Sequence, residues 1–285
     1  MRAIPELPDV RHEFLDARGL RMHVALAGPE DGPAIVLVHG WPQNWWAWRE
    51  VIPALAGSFR VIVPDLRGHG WTAAPPAGYE KQQLAMDVLG ALDALGIERV
   101  TWIGHDWGGW VGFLAAMTAP ERFERMLALG IPHPWVAPHP RQLAMLGYQG
   151  PISLPFLGLR LARPMARAIL QTGRGADRLA AADLAIFSDN LPPAVTVAMY
   201  RTFLTREVLP VARGRFADVI LDVASTLALG ARDLVTRGIA AGPVDGQPRL
   251  DVQEWSDVGH WLPEQRSREI VRWAESIDQD SVTSS

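Results

Sequence analysis

The stretch VTWIGHDWGGWVGFLAAMT, residues 100 to 118, changes character at its centre. Val100 to Ile103 is a short apolar run of strand type, GHDWGG at 104 to 109 is turn-forming, and Trp110 to Ala119 is a helical run of mostly small residues. A strand, a tight turn of G-x-nucleophile-x-G form and a helix make an elbow whose glycines tolerate strained backbone and let strand and helix pack closely. Asp106 occupies the tip. On its own, this residue is either a turn aspartate capping the helix or a carboxylate nucleophile. The second reading carries specific chemistry. A carboxylate there makes no acyl-enzyme from an ester, but it displaces a leaving group at sp3 carbon, giving an alkyl ester that water must then cleave.

Outward from the elbow, β-branched runs alternate with helical stretches, the pattern of an α/β chain with a mostly parallel sheet. Ala34 to Val38 and Phe59 to Pro64 are too continuously apolar for a one-sided sheet, so helices should cover both faces. Glu13 to Ala17 and Leu20 to Ala27 flank Arg18-Gly19 as an antiparallel hairpin at the N-terminal edge. Arg125 to Gly130, Ser225 to Gly230 and Arg249 to Glu254 continue the strands. Leu84, Val88, Leu92 and Leu95 place an apolar stripe on a helix over about 80 to 95, and a last helix follows Pro263. From 133 to 217 the alternation gives way to Leu-, Ala- and Arg-rich helical text punctuated by prolines. The expected organisation is a core in two parts, 1–132 and 218–285, interrupted by a helical cap at 133–217. The polar tail after Ile277 is expected to fray.

The loop HGWP, 39 to 42, follows the apolar strand ending at Val38. In a sheet with this elbow, that loop supplies one backbone N–H to an oxyanion hole and the residue after the nucleophile supplies the other, which selects the Trp41 and Trp107 amides. The plainer alternative is an ordinary turn around a satisfied His39. Ester cleavage requires a base, and His260, just past the last strand, titrates near neutrality. His105 should lie on the other side of the elbow in a structural role. His133 and His139 lack metal-ligand spacing and read as surface or lid residues. A base needs an acid to fix its tautomer. Asp233 follows the strand ending at Gly230, the post-strand position at 130–132 offers no carboxylate, and Asp245, Asp251 and Asp257 are less well placed.

Composition narrows the classes further. The 285 residues carry 27 basic and 31 acidic side chains, a net charge of −4, so no basic footprint for nucleic acid exists. The absence of cysteine excludes disulfides, thiol nucleophiles and thiolate metal sites. No signal-peptide-like or membrane-spanning apolar run is evident, which predicts a cytoplasmic protein. Lys81 is the only lysine, and among abundant Ala and Arg it reads as genome base composition. Twelve tryptophans suggest a wide aromatic pocket, although several should be core.

HGWPQNWWAWRE, VPDLRGHG, GHDWGG, GIPHP and VGHW, in this order and spacing over residues 11 to 275, resemble the epoxide hydrolases of the α/β-hydrolase superfamily. The resemblance implies an α/β-hydrolase core with an inserted cap, no metal or cofactor, an epoxide and water as partners, a role in detoxification, and a diol as product. A homodimer is left open. It also implies that Tyr148 and Tyr200, two of the three tyrosines, are lid phenols that bind substrate and donate to the epoxide oxygen, with Trp41 and Trp107 beside them. Gly147 departs from the tryptophan usual before the first tyrosine. Haloalkane and fluoroacetate dehalogenases are similar in HDWG and DLRGHG. The first usually place an Asn or a second ring after HG, and the second place arginines where this chain has Trp107 and Trp110. Dehalogenation by the same Asp, His and Asp is the alternative activity.

Overall fold

Strand β3 (Ala34–Val38) shows why the apolar runs are continuous: Val36 and Val38 pack into the core on one sheet face, Ile35 and Leu37 into the core on the other. Burying each such side chain contributes about 2 kcal/mol relative to exposure. A computed structural model describes residues 3–136, 146–174 and 178–283. Among the described residues, β3 belongs to a nine-stranded sheet with β1 (Arg11–Ala17), β2 (Leu20–Ala27), β4 (Arg60–Pro64), β5 (Val100–His105), β6 (Phe123–Leu129), β7 (Ser225–Gly230), β8 (Gly242–Val244) and β9 (Gln247–Trp255). The spatial order is β1-β2-β4-β3-β5-β6-β7-β9-β8. β4 through β9 in that order run parallel, with β1–β2 antiparallel at one edge and the short β8 antiparallel at the other.

One face is covered by α2 (Lys81–Ala94) and α3 (Trp107–Thr118), whose Leu84, Val88 and Phe113 pack against Val36, Val38 and Trp102. The other is covered by α1 (Ile52–Leu55) and the C-terminal α10 (Ser267–Thr283), through Ile52, Leu55, Ile270 and Ala274. The order reverses at β3, which has β4 on one side and β5 on the other. Loops leaving the carboxyl ends of β3 and β5 therefore meet over a crevice, the usual ligand position in such sheets.

Between β6 and β7 lie α4 (Leu146–Ser153), α5 (Pro155–Gln171), α6 (Ala181–Asp189), α7 (Pro193–Thr202), a π-helical turn (Phe203–Glu207) and α8 (Val208–Ala212). Pro155 and Pro193 open α5 and α7, where a missing N–H costs nothing. α9 (Leu262–Gln265) precedes α10. Contrary to expectation, the tail does not leave helix at Ile277, since α10 runs to Thr283. His139 lies outside the described residues.

Candidate active site

Asp106 joins β5 to α3 with φ 49°, a left-handed conformation that costs energy for a side-chain-bearing residue. Two glycines make the geometry attainable. A Cβ on Gly108 would stand 2.1 Å from the Val38 carbonyl oxygen, and one on Gly40 would stand 2.4 Å from Asp106 Cβ. The Asp106 side chain makes no capping bond to α3. Its Oδ2 instead accepts the Trp41 backbone N–H at 3.0 Å, and the Trp107 amide, next in the chain, favours the ionised carboxylate. Burial raises the Asp106 pKa to about 6, although His260 and the two amides act in the opposite direction. The Trp41 loop is shaped from behind by His39, which donates from Nδ1 to Gly40 O at 2.9 Å and accepts Leu66 N–H at Nε2 at 3.0 Å. Burial keeps this imidazole neutral by lowering its pKa.

His260 and Asp233 meet from the loops after β9 and β7. His260 Nδ1 donates to Asp233 Oδ2 at 3.0 Å. Asp233 is held by Val235 N–H at 2.8 Å and Thr236 Oγ1 at 3.1 Å, so its orientation is determined locally. This leaves His260 Nε2 as the ring nitrogen free to accept a proton. Burial opposes the imidazolium, but the Asp233 and Asp106 charges outweigh it and raise the His260 pKa. His105 is buried and neutral, its pKa pushed well down by burial, and its Nε2 donates to the His260 carbonyl at 2.8 Å. It therefore braces the backbone at His260.

Tyr148 on α4 and Tyr200 on α7 approach to 3.5 Å between hydroxyl oxygens. Trp41 stacks on Tyr148 at 6.2 Å and meets Tyr200 edge-on at 5.1 Å, and its indole donates to Thr196 Oγ1 at 3.1 Å. Trp107 also lies edge-on to Tyr200, at 6.3 Å. Burial raises Tyr148 to about 12 and raises Tyr200 well above the usual phenol value, so both phenols keep their protons at working pH. Among the described residues, a cavity of about 440 Å³ has Asp106, Asp233, His260, Tyr148 and Tyr200 in its wall, with Trp41, Trp107, Trp110 and Trp261. By contrast, Trp45, Trp48 and Trp102 are fully buried core.

The structure thus gathers all seven singled-out residues, Trp41, Asp106, Trp107, Tyr148, Tyr200, Asp233 and His260, around one cavity. Of the two readings of His133, surface or lid, the surface one is corrected: the residue is buried in the cavity wall, stacked on Trp135, with burial lowering its pKa to about 4. Gln149 was not singled out, yet its amide donates to Tyr148 Oη at 3.3 Å. Its position next to Tyr148 was the available signal. The third tyrosine, Tyr79, bonds Pro75 O at 2.8 Å and is structural. Asp65 of VPDLRGHG is also structural: it gathers His23 Nδ1 at 2.7 Å, Trp45 N–H at 2.8 Å and Trp71 N–H at 3.0 Å.

A family model for the α/β-hydrolase fold matches residues 33–180, just over half of the chain. The chain belongs to the α/β-hydrolase family. It is 46% identical over 121 residues to the soluble epoxide hydrolase of Corynebacterium sp. (strain C12), covering 42% of each chain. It is 42% identical over 130 residues to the AB hydrolase superfamily protein YfhM of Bacillus subtilis (strain 168), covering 45% of this chain and 46% of that one. The matched stretches span less than half of either relative's length. The whole fold is similar to ligand-free epoxide hydrolase CorEH, with TM-score 0.78 and 27% identity over 94% of this chain and 98% of that one. Among the described residues, no helix is long and apolar enough to cross a membrane.

Proposed function

We propose that this protein is an epoxide hydrolase that opens an epoxide with Asp106 and releases a vicinal diol, residues 133–217 forming the cap that closes the site. The carrying observation is the pair of protonated phenols, 3.5 Å apart, in the wall of the cavity that also holds Asp106. Asp106 Oδ attacks one ring carbon, that C–O bond breaks, and the departing alkoxide takes a proton from Tyr148 or Tyr200. An alkoxide is far more basic than a phenolate, so the transfer is downhill even from a phenol at about 12. His260 then removes a proton from water as the oxygen adds to the Asp106 ester carbonyl. The oxyanion faces the Trp41 and Trp107 amides. Collapse expels the diol oxygen, which takes the proton held by His260, and the proton of the resulting Asp106 carboxylic acid returns through His260 to the tyrosinate, restoring both the carboxylate and the phenol. The similarity to named epoxide hydrolases supports the same reading.

A panel of aryl, terminal aliphatic and trans-disubstituted epoxides, run beside a bromoalkane, tests it. Diol formation exceeding bromide release is the expected outcome. Bromide release without diol would transfer the site to dehalogenation. In heavy-oxygen water with enzyme in excess, the first diol should carry light oxygen from Asp106, whereas heavy oxygen there would mean direct attack by water.

A further inference from the structure

Behind Trp107, away from the two half-reactions, lies a buried charge that they leave unused. Lys81, the chain's only lysine, is fully buried at the first position of α2. Its ammonium stands 3.4 Å from Glu207 Oε2 and donates to Tyr79 O at 3.3 Å. Glu207 Oε1 accepts the Lys81 backbone N–H at 2.9 Å. Glu207 ends the π-helical turn that continues α7, so this pair ties the start of α2 to the helix carrying Tyr200. The same ammonium lies 4.5 Å from the Trp107 ring centroid and 5.4 Å from that of Phe203, two rings that themselves pack edge-on at 4.9 Å.

Stability is a poor account of this arrangement. Burying two charges costs several kcal/mol per ion before their attraction is counted. A cation at a helix N-terminus opposes the helix dipole. A π-helical turn interrupts regular hydrogen bonding and is found mostly at functional sites. Three unfavourable features meet beneath the ring that packs against Tyr200 and whose own amide faces Asp106.

We propose that Lys81 and Glu207 are a positioning pair, which holds Trp107 and the α7 end of the cap in register so that the Tyr200 hydroxyl is aimed at the leaving oxygen. This rests on the ring-opening reading of the site. The pair touches no substrate. Its ammonium fixes the tilt of the indole, and the indole in turn packs edge-on against the Tyr200 ring and limits how that ring can turn.

The test uses the full chain with Lys81→Met and Glu207→Gln together. Gln retains an oxygen for the Lys81 backbone N–H while both charges are lost, and neutralising a buried pair is often close to neutral for stability. The double variant should keep its Tm within a few degrees, slow single-turnover ester formation about tenfold, and change ester hydrolysis by less than about twofold. In ¹⁵N spectra, the Trp107 indole signal, assigned by its loss in Trp107→Phe, should move. Unchanged ester formation, an unmoved indole signal, or equal slowing of both half-reactions would overturn the proposal. A parent enzyme that forms no ester with any epoxide would overturn the ring-opening reading instead, and the indole signal would still decide whether the pair places Trp107.

Discussion

The floor and the ceiling of the cavity are built by different means. On the floor, Asp106, Asp233 and His260 each stand within a few residues of a strand's carboxyl end, held by backbone amides, tight turns and one histidine to carboxylate bond. In the ceiling, Tyr148 and Tyr200 come from helices of an insertion. Their positions depend on ring packing with Trp41 and Trp107 and on a buried ion pair 126 residues apart in the chain. A floor fixed by backbone is suited to covalent chemistry at one atom. A ceiling fixed by side chains can adjust to substrates, which suits the proton donation proposed for it.

The sharpest way to break this contrast is to remove single floor groups. Asp106→Ala should abolish ester formation, a loss on the order of 10⁴-fold or more. His260→Ala should form one equivalent of ester and stop, seen by mass spectrometry as protein plus one substrate mass. Asp233→Asn should fold but lose up to about 10⁴-fold in ester hydrolysis by favouring the wrong tautomer. Unmodified His260→Ala protein, despite measurable substrate binding, would contradict this division of labour.

Ceiling substitutions should be graded. Tyr148→Phe and Tyr200→Phe should each slow ester formation by about 10- to 100-fold and together by about 10³-fold, with ester hydrolysis little changed. Rapid-mixing measurement of the two steps separates these outcomes. Ester formation at the parent rate in the double variant would reduce the phenols to lid packing.

The mildest effects are set by pH. The proposed ring opening needs ionised Asp106, so its rate should fall as pH drops below about 6 and stay level to pH 10, because neither phenol ionises there. The folded pKa of Asp106 lies above its unfolded value, so its contribution to stability is complete below about pH 4 and is lost as pH rises through about 6. Asp106→Asn should therefore raise Tm at pH 8 by about 5 °C and progressively less toward pH 4. An equal shift at both pH values would argue for a steric rather than an electrostatic origin.

This same contrast explains what was legible in the sequence. Strand β3, the hairpin, β7 and the elbow follow from apolar runs, turn glycines and period, which act over a few residues. Asp233 emerged by elimination because each strand end offers few carboxylates. The ceiling is different: nothing local in LGYQG or AMYRT says that two hydroxyls come within 3.5 Å, and only the resemblance to a family selected them. Lys81 looked like base composition because its partners, Glu207 and Trp107, are distant in the chain. His133 reads as either surface or lid because nothing local distinguishes the two, while its burial comes from Trp135 and the cavity wall. β8 carries no period in three residues that include Pro243.

The mutual influence of Asp106 and His260 has a consequence for timing. While Asp106 is anionic, its charge is one of the influences that hold the imidazole's proton affinity up. In the proposed mechanism the carboxylate then becomes an ester, so that charge disappears and the proton affinity of His260 falls. Each alkylation therefore readies its own removal: the base is biased toward its neutral, water-activating form only after there is an ester to cleave. The resting site and the loaded site are in this sense two charge states of one circuit, and the substrate throws the switch.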